Sequence, residues 1–151
     1  MESDYQCSID ISFISGDIQF DVWSDTQLFS FKSGLGFIAI PHFFFTLSQL
    51  YKSEIKEAQL DCHGNADYYK FYSDGIALFI EEHEIDYPKK EIYKYQFNIE
   101  KYLEAVDKGF KKHLKQLERK GLLPLKTQEF AHPLGDDVLN AFYNFSSLLN
   151  N

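Results

Sequence analysis

Apolar and polar residues alternate through the first part of the chain. Cys7, Ile9, Ile11 and Phe13 interleave with Ser8, Asp10 and Ser12, and Ile18, Phe20 and Val22 with Gln19 and Asp21. A period of two places each apolar set on one side of a pleated strand. Ser15-Gly16-Asp17 lies between the two runs and supplies turn chemistry, so they predict a β-hairpin. Ser24-Asp25 marks the next corner, and Phe29 and Phe31 suggest a third strand. Ser33-Gly34 breaks it, and Leu35 to Ile40 reads as a fourth. Pro41 suits the first position of a helix, where its missing N–H costs nothing. Phe44, Leu47, Leu50 and Tyr51 then recur at helical spacing, which predicts a helix from Pro41 to about Lys52. The Phe43-Phe44-Phe45 triplet puts rings on more than one face, so this helix is expected to be buried on two sides.

A second strand series follows. Ala58, Leu60 and Cys62 alternate with Glu57, Gln59 and Asp61, and His63-Gly64-Asn65 is a turn. Tyr68 to Tyr72 forms a strand, Ser73-Asp74-Gly75 a turn, and Ile76, Leu78 and Ile80 the next strand. Glu81 to Lys90, with Pro88 inside it, reads as a charged loop, and Tyr93, Tyr95 and Phe97 as the last strand. The clearest helix comes next. Asn98 is its N-cap, and Phe97 and Tyr102 sit where a hydrophobic staple would close. Ile99, Tyr102, Leu103, Val106, Phe110, Leu114 and Leu117 form one stripe, and Gly121 and Pro124 stop the helix. Leu125 to Pro133 looks irregular. A final helix begins near Asp136 and buries Val138, Phe142, Phe145 and Leu149. Tight turns imply antiparallel pairing, and helices grouped late in the chain imply a covered sheet. The expectation is α+β: an antiparallel β-sheet with helices packed on one face, the other face partly open.

A length of 151 residues without a linker or repeat fits a single domain, 1–151. Aromatic residues make up 17% of the chain, which favours high sheet content because rings fit pleated surfaces. Cys7 and Cys62 lie in alternating apolar patterns and read as buried free thiols. With no disulfide framework and no signal segment at Met1–Asp4, a cytoplasmic protein is expected. The longest apolar stretch, Phe37 to Phe45, is interrupted by Pro41 and His42 and is too short to span a bilayer, so no membrane partner is expected.

Catalytic and metal motifs are weak. Cys62-His63 and His83 lack the CxxC or HExxH spacing that sets two ligands on one ion, so no metal or other cofactor is expected. Gly34-Leu35-Gly36-Phe37-Ile38-Ala39 matches the loose GxGxxA dinucleotide form, but hairpins precede it and its helix is expected only from Pro41. Its glycines read instead as turn residues with positive φ. No GxSxG elbow is present. Glycosidase chemistry needs two carboxyls at a set separation in a cleft, for which a packed sheet this small leaves little room. No catalytic residue is assigned, and the chain reads as a non-enzyme.

Charge carries more information. The formal net charge is −8, which argues against nucleic acid as a direct ligand. Residues 1–31 hold Glu2, Asp4, Asp10, Asp17, Asp21 and Asp25 without a Lys or Arg. Glu81, Glu82, Glu84 and Asp86 repeat this, while the Asn98–Gly121 helix is basic in its C-terminal half. Such segregation creates a field that orients a basic partner. Trp23, the only tryptophan, shares the face of Asp21. It reads as an interface anchor or as a second core layer beneath another element. The candidate partner-binding residues are Asp17, Asp21, Trp23, Asp25, Glu81, Glu82, Glu84, Asp86 and Tyr87.

The chain as a whole resembles the small immunity proteins that bacteria pair with polymorphic or contact-dependent toxins. The features that carry this are an acidic, aromatic-rich composition, the Cys7–Val22 hairpin, the Glu57–Cys62 strand and the Asn98–Gly121 helix. No binding residue transfers through it. The resemblance implies a protein that binds one cognate toxin domain and blocks its active site or substrate groove. Many such toxins are basic nucleases, where an acidic face competes with phosphate. Two other readings stay open: a small-molecule binding module or small enzyme with an aromatic-lined pocket, and a structural or oligomerising subunit with an exposed apolar patch on the Phe43–Phe45 helix or the last helix. The oligomeric state is left undetermined.

Overall fold

The computed structural model describes residues 5–63, 67–85, 90–127, 129 and 131–150, with the backbone alone at residue 90. The alternating runs form two antiparallel sheets. The first joins β1 (Gln6–Ile11), β2 (Ile18–Trp23) and β3 (Leu28–Ser33) in the order β1-β2-β3. The second joins β4 (Glu57–Asp61), β5 (Tyr68–Ser73), β6 (Ala77–Ile85) and β7 (Lys90–Asn98) in chain order. Gly16 (φ +79) and Gly75 (φ +100) take left-handed conformations in the β1–β2 and β5–β6 turns, where a side chain would be strained. The class is α+β.

Three helices complete the fold: α1 (Gly36–Tyr51), α2 (Ile99–Arg119) and α3 (Asp136–Leu149). The start of α1 corrects the expectation of a strand over Leu35–Ile40. Ala39 and Ile40 continue the buried stripe of Phe43, Phe44, Leu47 and Leu50 at helical spacing, and Pro41 lies inside the helix rather than at its start. A wholly apolar run does not distinguish a buried strand from a buried helix. Phe43 and Phe44 are buried, and Phe45 is exposed. α2 begins as expected: the Asn98 carboxamide oxygen accepts the Lys101 N–H at 2.9 Å, and the Phe97 and Tyr102 rings meet at 5.1 Å. α3 is capped by Gly135, with Asp136 in its first turn. Among the described residues, no helix is long and apolar enough to cross a membrane.

Helices cover the inner faces of the sheets. Phe20 and Phe31 of the first sheet meet Phe43 of α1, the latter pair stacked at 4.5 Å. Phe44 touches Phe110 of α2 and Phe142 and Phe145 of α3. Phe71 of the second sheet reaches Phe29, Phe31 and Phe43. The sheets are also tied by hydrogen bonds. The backbone N–H of Lys32 donates to Tyr69 Oη at 3.1 Å, and that of Gly34 to the Cys62 carbonyl at 2.8 Å. These ties bring the β2–β3 end of one sheet against the β4–β6 end of the other.

Candidate interaction surface

Strand β6 runs on to Ile85, and β7 begins at Lys90. Of the expected charged loop over Glu81–Lys90, Glu81–Ile85 is therefore strand paired with β7, which decides where Glu81, Glu82 and Glu84 point. Glu81 and His83 lie on one face of the sheet, and Glu82 and Glu84 on the other, two and four residues beyond the core residue Ile80. This end of the sheet extends past the core, so polar residues occupy both faces and the apolar alternation that would mark a strand is missing.

Glu82 and Glu84 face the junction of the two sheets. A cleft of about 500 Å³ opens there, lined by Asp17, Lys32, His63, Asp67, Glu82 and Glu84 among others. Glu91 stands directly across the ladder from Glu84, and Tyr93 across from Glu82. Partial burial raises the Glu82 carboxyl above the usual range. A hydrogen bond with Glu84 and that neighbour's charge raise it further, and Lys32 pulls the other way. The Tyr93 hydroxyl donates to Glu91. That bond and the Glu91 charge push the Tyr93 phenol up to about 12. Asp67 accepts the Ile85 N–H at 3.0 Å. Among the described residues, Asp17, Glu82, Glu84 and Glu91 form no ion pair within 4 Å.

The other candidate acids lie elsewhere. Asp21 is on the outer face of the first sheet, where it accepts Gln19 Nε2 at 2.9 Å and Ser30 Oγ at 2.5 Å. Trp23 shares that face beside Leu28 at 38% exposure, so no second layer covers it. The row Asp10–Gln19–Lys32 links this face to the cleft, since Gln19 and Lys32 line both. Asp25 is exposed at the β2–β3 corner. Glu81 is on the outer face of the second sheet, 2.9 Å from His83 Nε2, with the Tyr72 hydroxyl donating to it at 3.3 Å. The His83 hydrogen bond, foremost, holds the Glu81 carboxyl below its ordinary range. Asp86 and Tyr87 lie outside the described residues.

The structure thus brings together Asp17, Glu82 and Glu84 of the expected set and adds Glu91, Asp67 and Lys32. Glu91 was detectable in the sequence, because extending the Tyr93–Tyr95–Phe97 alternation back one step places it on the face that becomes the cleft side. Asp67 gave no such signal.

The GxGxxA segment also changes meaning. α1 opens at Gly36, directly after β3, so the local order is strand, loop, helix. Its amides are already used: Gly36 N donates to the Gly16 carbonyl at 2.9 Å, and Leu35 N to Ser33 Oγ at 3.2 Å. A Cβ on Gly34 would strike the His63 carbonyl oxygen, and one on Gly36 would lie 2.7 Å from Ile18 Cγ2. Neither glycine has the positive φ expected of it; close approach of neighbouring backbone and side chains requires them. With only antiparallel neighbours there is no βαβ unit among the described residues.

Among the described residues, no group of three or more His, Cys, Asp or Glu side chains is placed to hold a metal ion. Both cysteines are free, and burial, assisted by Asp21, pushes the Cys7 thiol up to about 12. The buried rings pack on one another in the core. A separate groove between α1 and α3 exposes Phe45 beside Pro41 and Leu148. No protein-family model, curated protein or solved structure matches the chain.

Proposed function

We propose that this chain is a binding protein of the immunity type, which neutralises a cognate toxin domain by seating that partner's Lys or Arg side chains in the carboxylate cleft. The observation that carries the reading is that Asp17, Glu82 and Glu84 line one cleft, with Glu91 across the ladder from Glu84, and that none of the four forms an ion pair among the described residues. Partial burial and the neighbouring Glu84 raise the Glu82 carboxyl and disfavour its ionised state. A cation entering the cleft offsets that cost by pairing with the ionised carboxylates.

The outer face of the first sheet extends the surface. From Lys32 to the Trp23–Leu28 row is four residues of strand, about 13 Å. A partner spanning the cleft and this face would meet a charged end and an apolar end, the usual make-up of a specific interface. Charge would speed encounter at low salt, and burial of Trp23 would set residence time. A basic nuclease fits such a surface, because the carboxylates occupy the place of its substrate's phosphates. The role is binding, without catalysis by this chain. The exposed Phe45 groove is the observation that favours the oligomerising reading, and it lies on helices α1 and α3, apart from the carboxylates.

The test is co-expression with the product of the adjacent gene. The expected result is that this product arrests growth, that the chain restores it, and that the double variant Glu82→Lys/Glu84→Lys, folded by circular dichroism, does not. A harmless neighbour, or full rescue by the charge-reversed chain, would contradict the proposal.

A further inference from the structure

Strand β7 is the last in its sheet, so one edge pairs with β6 and the other with no strand among the described residues. Its register with β6 is continuous from Ala77↔Asn98 to Ile85↔Lys90, without a bulge. Two hydrogen bonds show which residues point away from β6. Gln96 N–H donates to Gln27 Oε1 at 2.8 Å, and Asn98 N–H to the Tyr5 hydroxyl at 3.0 Å. The two-residue period carries the same outward direction back to Lys94 and Ile92. One half of the edge is therefore closed by side chains of the first sheet and its approach. At Ile92 and Lys94 no described donor or acceptor meets the outward backbone groups. Ile92 and Tyr93 are 53% and 42% exposed.

We infer that this open stretch of β7 is a strand-addition site, which takes an extended segment of a basic partner as a fifth strand. The inference rests on the proposed function and adds the mode of docking. Side chains fix the chemistry of the occupant. On one side of the edge stand Glu91, Glu84 directly across from it, and Glu82 across from Tyr93. Every second residue of an added strand falls on that side and meets carboxylate, so those residues are Lys or Arg. The residues between them fall on the side of Ile92 and Lys94 and are apolar. Backbone bonds hold such a segment, and alternate side chains select it. A second copy of the chain is a poorer occupant, because antiparallel self-pairing centred on Ile92 sets Lys94 opposite Lys90.

Proline provides the test. On an edge strand, proline is tolerated where its N–H would face outward. Ile92→Pro therefore keeps the β6 ladder and removes one outward donor. The probe is an eight-residue peptide of alternating lysine and valine, together with a form N-methylated at alternate residues. The peptide is expected to protect the Ile92 and Lys94 amides from hydrogen exchange. Its affinity is expected to fall about tenfold or more with Ile92→Pro, and likewise with N-methylation on the unaltered protein. Binding that needs Glu82 and Glu84 but is indifferent to Ile92→Pro and to N-methylation would overturn strand addition and leave the proposed function standing. Absence of peptide binding would overturn strand addition, and so would protection of Ile92 and Lys94 that rises with protein concentration alone, which would assign the edge to a second copy.

Discussion

Glu82 carries the surface at the level of a single residue, and its titration has a definite sign. Its folded carboxyl lies above the ordinary value, with burial the first cause and Glu84 the second. A raised pKa contributes stability that is complete below the unfolded pKa and is lost as pH rises through the folded one. At neutral pH Glu82 therefore costs the fold. Glu82→Gln is expected to raise the melting temperature at pH 7 and to change it little near pH 4. The side chain is partly exposed, so the gain stays within about 1 kcal/mol, or about 2–4 °C. Thermal melts of both proteins at the two pH values check this, and a lower melting temperature for the variant at pH 7 would contradict it. The cysteines show what was legible at this scale: alternation marked both as buried thiols, and Cys62 is buried while Cys7 is half-buried, its pKa raised by desolvation and Asp21. Which way Glu81 and Glu82 point was not legible, because neither face of that strand end is apolar.

Among the elements, α2 shows close packing overriding local propensity. Gly109 sits in mid-helix, where alanine is intrinsically better by about 1 kcal/mol. A Cβ there would lie 2.8 Å from Cys7 Cβ and 3.0 Å from the Cys7 carbonyl oxygen on β1. Relieving that overlap costs about 1–3 kcal/mol. Gly109→Ala is thus expected to lower the melting temperature despite its helix propensity, and calorimetry showing a rise would refute this account of the helix–sheet contact. The cap, staple and stop of α2 were readable because one face of the helix is apolar and the other charged. The start of α1 was not, because Phe37 to Phe45 is apolar almost throughout and so lacks a period. The extension of β6 was hidden for the opposite reason, since Glu81 to Glu84 put polar residues on both of its faces.

For the molecule as a whole, the acids gathered by sequence position divide among three surfaces. Asp21 is held by Gln19 and Ser30, and Glu81 by His83 and Tyr72. Asp17, Glu82 and Glu84 line the cleft between the sheets, with Glu91 across the ladder from Glu84. The α+β class and most hairpins followed from alternation and turn chemistry. The division into two sheets, and with it the cleft, depends on long-range ties such as Lys32 to Tyr69 that no local pattern announces. The central claim is that the cleft group, rather than Asp21 or Glu81, offers its carboxylates to a cationic partner. The most direct test is a carboxyl-detected NMR titration with a hexalysine peptide at low salt, repeated at about 1 M salt, where charges are screened beyond about 3 Å. The account expects the largest shifts at Asp17, Glu82, Glu84 and Glu91, with little change at Asp21 and Glu81, and loss of all shifts at high salt. Equal shifts at every carboxylate, or the strongest at Asp21 and Glu81, would contradict it.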